Sequence, residues 1–389
     1  MGRLAAGLGD TDGTMKILHV GVGNLGEGGV ATYARTVISG QRVRGHEVLL
    51  SELWPCGKSM PEVEEVVPDQ ASLLSLRDRW KPDVVHLHAL LPDYVGFTSA
   101  IVLTAHEHSS HCPSGGRYLE ARGRECHRKF GLLPCVWGHY VDRCGSRDPR
   151  AILRHYRVTA AASTFPGIWI APSRYSRDRL LERGMASDRV ELVSNPPPEN
   201  FDAPPPEGRV TDPVILFLGR LVPSKGCDVL LRAMVEIPHG RLKILGDGPE
   251  RNSLEELAKR LGVDSRTEFL GWNSPAQVEG HLSTARVLAV PARWPEPFGL
   301  VALEAYSSGC PVVASGIGGL LDTVEDGATG RLVPPGDPSA LALALGDLLR
   351  DGAAADRMGR QGHRLVRERF RKGLHLERLE QVYDRARKA

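Results

Sequence analysis

The sequence predicts an α/β protein of two doubly wound domains, and three observations carry that reading. Short apolar runs recur along the chain; each is followed by Gly, Pro or a polar turn and then a helical pattern; and the rhythm breaks once, at a Pro-rich stretch, before it restarts. The first set of runs is ILHVGV (17–22), HEVLL (46–50), DVVHLH (83–88), IVLTAH (101–106), IWIAPS (168–173) and VELVS (190–194). Each is too short for a helix and reads as a buried parallel strand. After Pro196 to Pro213 the second set follows: VILFLGR (214–220), LKILGDG (242–248), TEFLGW (267–272), RVLAVPAR (286–293), PVVAS (311–315) and GRLVP (330–334). From about Ala340 to Ala389 the chain reads as helix throughout, with a charged amphipathic end. The domains are therefore expected at 15–195 and 214–365, joined by a linker over 196–213.

Composition narrows the function classes. At 389 residues, 41% hydrophobic and 25% charged, the chain is neither a small disulfide scaffold nor a disordered or fibrous one. Forty-nine basic against 47 acidic side chains leave +2, so no nucleic acid partner is expected. No apolar run reaches the roughly 18 residues of a membrane span, and the opening MGRLAAGLGDTDG lacks the parts of a signal peptide. A cytoplasmic protein is expected, with its seven cysteines free as the default and folding from Met15 after a flexible tail or an upstream start.

Gly21-Val22-Gly23-Asn24-Leu25-Gly26 fits G-x-G-x-x-G directly after a strand, with Glu47 or Glu52 where a ribose-binding acid would be sought. That pattern alone would suit an NAD(P)-dependent oxidoreductase. Forty-three glycines also generate such spacings by chance, and Glu27-Gly28-Gly29 carries the loop past the expected helix start. Either way, a Gly-rich turn before a helix lets a ligand approach backbone N–H groups.

The second half carries a denser pattern. Gly219-Arg220 ends a strand and Lys225-Gly226 follows a short loop, placing two cations at the sheet edge where ligands of open α/β sheets bind; such a pair suits a diphosphate. Glu296 stands between Pro295 and Pro297, and Glu304 lies eight residues on, inside an apolar helix. Glycosidase carboxylates stand about 5–9.5 Å apart, whereas eight helical residues span about 12 Å, so the two are expected to grip different parts of one ligand. With the N–H groups of Phe298, Gly299 and Leu300 opening that helix, the site offers hydroxyl acceptors and anion donors together, as a sugar nucleotide requires.

Gly28-Gly29-Val30-Ala31-Thr32-Tyr33 with Gly45-His46-Glu47-Val48, Thr104-Ala105-His106, Ala171-Pro172-Ser173, Gly219-Arg220-Leu221 with Lys225-Gly226, Gly246-Asp247-Gly248-Pro249 and the Glu-x7-Glu at 296–304 resemble, in order and spacing, the retaining family 4 glycosyltransferases of the GT-B fold. The resemblance runs from Met15 to the C-terminal helix. It implies two Rossmann-like domains facing across a cleft, with the last helix, 366–389, crossing back to the first domain. It further implies that Arg220 and Lys225 hold the donor diphosphate, Glu304 the ribose hydroxyls, and Glu296 with the 298–300 amides the donor sugar. His106 would face that sugar and the Gly28-Gly29 loop would approach it, with Asn195 also on the donor side. No cofactor or metal is required, since the basic pair and helix dipole take a metal's role; the donor is a nucleotide-diphosphate sugar and the acceptor a glycan, a lipid-linked group or a small molecule. The chain departs from the family in Glu107 after the strand-end His, in the three prolines after Asn195, and in Leu320-Leu321-Asp322 after Gly318-Gly319.

Residues 106–147 stand out as an insertion, with His106, His108, His111, Cys112, Cys126, His127, Cys135, His139 and Cys144. Cys112, Cys126, Cys135 and Cys144 could hold zinc, although no C-x2–4-C pair is present; structural cysteines are preferred to zinc, and zinc to a catalytic thiol. Ten basic and four acidic side chains give 117–157 a net +6, leaving −4 on the rest, so this region is a candidate contact for an anionic membrane face or an acidic acceptor, against a plain solvated loop. A non-catalytic protein binding zinc and anions is the remaining alternative. His19, His86 and His88 read as packed histidines, Cys227 and Cys310 as buried, Asp247 as a turn residue, and Trp272 either as a border to a base or as core.

Overall fold

The computed structural model describes residues 13–22, 28–54, 61–97, 100–198 and 212–388; Gly23 to Gly26 of the first glycine loop and residues 199–211 of the Pro-rich stretch lie outside that set. The chain opens with β1 (Lys16–Val22), α1 (Gly29–Val43), β2 (Glu47–Leu53) and the edge strand β3 (Glu65–Val67). Helix α2 (Gln70–Trp80), capped by the Asp69 carboxylate on the Ser72 N–H, leads to β4 (Val84–Leu87) and β5 (Ala100–Thr104). A small antiparallel pair, β6 (Tyr118–Leu119) with β7 (Arg124–Glu125), and α3 (Leu132–Tyr140) stand apart from the main sheet. Helix α4 (Pro149–Ala161), β8 (Ile168–Ala171), α5 (Arg174–Glu182) and β9 (Val190–Leu192) complete this half, whose parallel sheet runs β3-β2-β1-β4-β5-β8-β9.

The second half repeats the scheme: β10 (Asp212–Leu218), α6 (Cys227–Val235), β11 (Arg241–Leu245), α7 (Arg251–Arg260), β12 (Thr267–Gly271), α8 (Pro275–Thr284), β13 (Ala285–Val290), α9 (Leu300–Ser307), β14 (Val312–Ser315), α10 (Leu320–Thr323) and β15 (Gly330–Val333). Its parallel sheet runs β12-β11-β10-β13-β14-β15. All twelve apolar runs read from the sequence are strands. The edge strand β3 escaped because it offers three residues with only Val67 buried.

Three helices, not one, close the chain: α11 (Pro338–Arg350), α12 (Gly352–Arg369) and α13 (Lys372–Lys388). Asp351 ends the first and caps the second by accepting from the Ala354 N–H. Leu365, Val366 and Phe370 are buried in the core of the second half, so the crossing element begins at Lys372 rather than at 366. Helix α13 then lies on the first sheet, burying Leu376, Leu379, Val382 and Tyr383 beside α1. Burial of each of the three aliphatic side chains stabilises by about 1.5–3 kcal/mol. The approach is close enough that a Cβ on Gly40 would stand 2.6 Å from Leu376 Cδ1.

Candidate functional site

The start of α1 and the loops that follow the C-terminal ends of β5 and β8 meet loops that follow β13 and β14, so the site lies where open α/β sheets bind ligands. A Cβ on Gly29, at the start of α1, would stand 3.5 Å from Leu300 Cδ1 at the start of α9. Two helix N-termini, each with N–H groups that have no intrahelical acceptor, therefore face one another.

On the second-half side, Gly219 follows the last residue of β10 and Arg220 is exposed beyond it. Gly226 has φ 71°, and a Cβ there would stand 2.0 Å from the Pro291 carbonyl oxygen, so only glycine seats the Lys225 turn against the exit of β13. Lys225 Nζ contacts Glu296 Oε1 at 2.5 Å and lies 5.0 Å from the centroid of the Trp294 ring, while Trp294 Nε1–H donates to the same oxygen at 2.9 Å. Glu296 is thus buried but held by two donors.

The loop carrying Glu296 rests on Gly318 and Gly319, whose Cβ atoms would fall 2.6 Å from the Glu296 carbonyl oxygen and 2.5 Å from Phe298 Cα. The Gly319 N–H donates to the Glu296 carbonyl at 2.6 Å. Phe298 is buried against Phe370, so it offers a ligand its backbone alone; Gly299, with φ 97°, turns the chain into α9. Glu304, half-buried on α9, has no hydrogen-bond partner among the described residues, and burial pushes its carboxyl up to about 7.

On the first-half side, His106 ends a ladder of rings. His19 Nε2 meets Gln41 Oε1 at 2.8 Å, His19 Nδ1 meets His88 Nε2 at 2.9 Å, and His88 Nδ1 meets His106 Nε2 at 3.1 Å. The Gln41 amide donates to Tyr383 Oη, which fixes its oxygen towards His19. Gln41 Oε1 accepts only, so each ring in turn donates through Nε2 and accepts through Nδ1, and His106 is left with its Nδ1 lone pair. Burial holds His19 near 4 and His106 near 3, so His106 acts as a neutral hydrogen-bond partner, not a cation.

Among the described residues, His19, His86 and His88 alone bring three potential ligand atoms within 4.8 Å of one another. All six of their ring nitrogens are engaged, those of His86 by Tyr383 Oη and Thr104 Oγ1, so the set is a packed polar network. The packed reading of these histidines holds, and their role in orienting His106 shows only in three dimensions.

The halves are clasped beside the site. His108 Nε2–H donates to the Pro295 carbonyl at 2.6 Å, and Ser173 and Ser176 hydroxyls donate to the Pro297 carbonyl at 2.5 and 3.1 Å. The Asp322 carboxylate accepts from the Arg174 N–H at the start of α5 and from Arg174 Nε, at 2.6 and 2.7 Å. The roles of His108, Ser173, Ser176 and Asp322 were missed in the sequence; Ser173 lay within a quoted motif, but a carbonyl partner leaves no sequence signal.

The structure thus pairs Lys225 with Glu296, places Phe298, Gly299 and Leu300 at the start of the helix that carries Glu304, and sets Gly29 against Leu300, while Gly28 and His106 lie beside the start of α1 and the end of β5 in the first half. Arg220 stands at the same sheet edge without touching them. Asn195 lies buried where the chain leaves the first sheet, its Oδ1 without a hydrogen-bond partner. Glu47, at the N-terminal end of β2, pairs with Lys16 at 3.2 Å and is at the wrong end of its strand to reach a ribose. Trp272 is 63% exposed, which removes the core reading. Cys227 and Cys310 are buried, and Asp247 Oδ1 accepts from the Gly248 N–H in a turn.

Comparison with known proteins agrees with this geometry. A family model described as glycosyl transferases group 1 matches residues 200–365. The chain is 34% identical over 252 residues to a GDP-mannose-dependent alpha-(1-6)-phosphatidylinositol monomannoside mannosyltransferase of Mycolicibacterium smegmatis, covering 59% of this chain and 64% of that one. It is 33% identical over 248 residues to the lipopolysaccharide core biosynthesis glycosyltransferase LpsE of Rhizobium meliloti, covering 62% and 69%. The crystal structure of HepE from Anabaena in complex with UDP-glucose superposes with a TM-score of 0.72 at 19% identity, covering 95% of this chain and 99% of that one. That likeness shows the fold: GT-B, two Rossmann-like domains facing across a cleft.

Proposed function

The chain belongs to the group 1 glycosyl transferases, and from that premise we propose that it is a retaining glycosyltransferase, moving a sugar from a nucleotide-diphosphate donor to an acceptor hydroxyl in glycan, glycolipid or other glycoconjugate synthesis. The observation that carries this reading is the Lys225–Glu296 pair set before the N-terminus of α9, facing the N-terminus of α1. A donor diphosphate there meets Arg220, Lys225 and helix N–H groups; Glu304, a half-buried acceptor without a partner among the described residues, takes the ribose hydroxyls.

As the bond from the anomeric carbon to the diphosphate oxygen breaks, its electron pair leaves with the diphosphate, and Arg220, Lys225 and the α9 amides stabilise that charge. Glu296 and the 298–300 amides hold the sugar hydroxyls, and neutral His106 faces the sugar from the opposite domain. The acceptor oxygen bonds to the anomeric carbon on the face the diphosphate left, and its proton passes to the departing phosphate oxygen, so configuration is retained. The cationic pair and helix dipole make a metal ion unnecessary in this scheme. The UDP-glucose bound to HepE supports a nucleotide-sugar donor.

Acceptor choice is assigned to the first domain, where the basic region 117–157 surrounds α3 with Leu133 82% and Trp137 56% exposed. Exposed apolar side chains within a region of net positive charge suit peripheral contact with an anionic membrane carrying a lipid-linked acceptor. Titration calorimetry with UDP-, GDP-, ADP- and dTDP-sugars, with NAD and NADP as controls, tests the donor site. One sugar nucleotide should bind, and Lys225→Ala and Glu296→Ala should each lower transfer by about 10²–10³ in folded protein. Near-normal transfer in both variants would overturn the assignment.

A further inference from the structure

Cys112, Cys126, Cys135 and Cys144 arise from separate turns of the insertion, yet all four line one cavity of about 20 Å³, room for a single ion or water. Cys135 and His139 stand one turn apart on α3, on one face, and both line that cavity. His139 Nδ1–H donates to the Ser146 carbonyl at 2.8 Å, so its Nε2 carries a lone pair; that atom is buried and has no hydrogen-bond partner. An imidazole oriented by a backbone carbonyl, with its other nitrogen buried and unpartnered beside a cavity lined by thiols, suits a zinc ligand and its support. Arg128 also lines the cavity, its Nη1 buried and without a hydrogen-bond partner, placed to donate to a thiolate.

Helix α3 supplies a second, independent reason. Nine residues do not hold a helix by themselves, and this one buries only Gly138 and His139 while its leucines and tryptophan face outward. No apolar core anchors it, and a bound ion would.

We propose that this cavity is a structural zinc site formed by Cys126, Cys135, His139 and Cys144. Zinc takes four ligands, and two donors that also line the cavity are left over: Cys112, whose Sγ lies 3.1 Å from Ser114 Oγ, and His111, whose Nδ1 lies 3.0 Å from Ser110 Oγ and whose Nε2 is buried without a partner. The sulfurs line the cavity more loosely than zinc requires, so binding draws the three side chains inward. Three thiolates and one Zn²⁺ leave a net charge of −1, which the Arg122–Asp142–Arg128 cluster, with one net positive charge, offsets. Zinc binds thiolates, so binding displaces the three thiol protons. The brace would hold the segment that seats His108 on the Pro295 carbonyl beside Glu296.

Elemental analysis of the full chain, purified without added metal, should find one zinc per chain, and replacement by Co²⁺ should give the visible spectrum of a tetrahedral thiolate-rich site. His139→Ala and Cys135→Ser should lose the metal, and Cys112→Ser should keep it. Should those two variants fail to fold, the Co²⁺ spectrum and the count of thiols released by chelation in the wild-type protein decide. No zinc with every thiol titratable, no zinc with the thiols paired as disulfides, or iron with sulfide would each overturn the site. Zinc lost in Cys112→Ser but kept in His139→Ala would overturn this ligand set in favour of four thiolates. None of these readouts depends on transfer activity.

Discussion

Glu304 shows what a binding carboxylate costs the empty protein. Unfolded, its carboxyl titrates near 4.3; folded, burial pushes it up to about 7. Because the folded value is the higher one, its favourable contribution is complete below about 4.3 and is lost as pH rises through 7, an effect bounded on the order of 3 kcal/mol. Glu304→Gln should therefore raise the denaturation midpoint more at pH 8 than at pH 5, while weakening donor binding. Ribose hydroxyls donate to the ionised form, so wild-type donor affinity should fall as pH drops below 7, by up to tenfold per unit, with proton release on binding visible by calorimetry in buffers of different ionisation enthalpy. A flat profile would remove Glu304 from the site. This residue was legible in the sequence because a lone acid in an apolar helix needs a reason. The Gln41–His19–His88 ladder was not, since a hydrogen bond between side chains 22 or 69 positions apart leaves no local pattern.

At the scale of elements, parallel strands were legible because burial on both faces makes them continuously apolar, and β3 was not because an edge strand need not be. The insertion was legible as unusual, but which face of α3 looks inward was not. Its outward face yields a prediction: the protein should co-sediment with vesicles rich in anionic phospholipid, and Leu133→Glu with Trp137→Glu should abolish this while leaving transfer to a soluble acceptor unchanged. The pair Gly318-Gly319 yields another. A Cβ on Gly319 would press on Phe298 Cα at 2.5 Å and the Pro297 carbonyl at 2.6 Å, both backbone atoms that cannot swing aside. Gly319→Ala should raise the donor KM at least tenfold without touching the donor, and unchanged kinetics would show that the loop has another resting place.

At the scale of the whole molecule, the two large parallel sheets are joined twice along the chain, once by the linker and once by the crossing into α13, and the second connection ties stability to function. Leu379 is buried between α13 and the first sheet, and Tyr383 on the same helix bonds both His86 Nδ1 and the Gln41 amide. The C-terminal segment therefore closes the ladder that ends at His106, although it lies more than 250 positions away in sequence. Leu379→Ala leaves a cavity at that seam and should destabilise the first domain by about 2–5 kcal/mol. The core of the second domain contains no residue of α13, so its donor site should survive. Denaturant unfolding followed by tryptophan fluorescence should then split into two transitions, the earlier abolishing transfer and the later abolishing donor binding. A single transition at an unchanged midpoint would mean that α13 only lies against the first sheet, and that the ladder is held from within it.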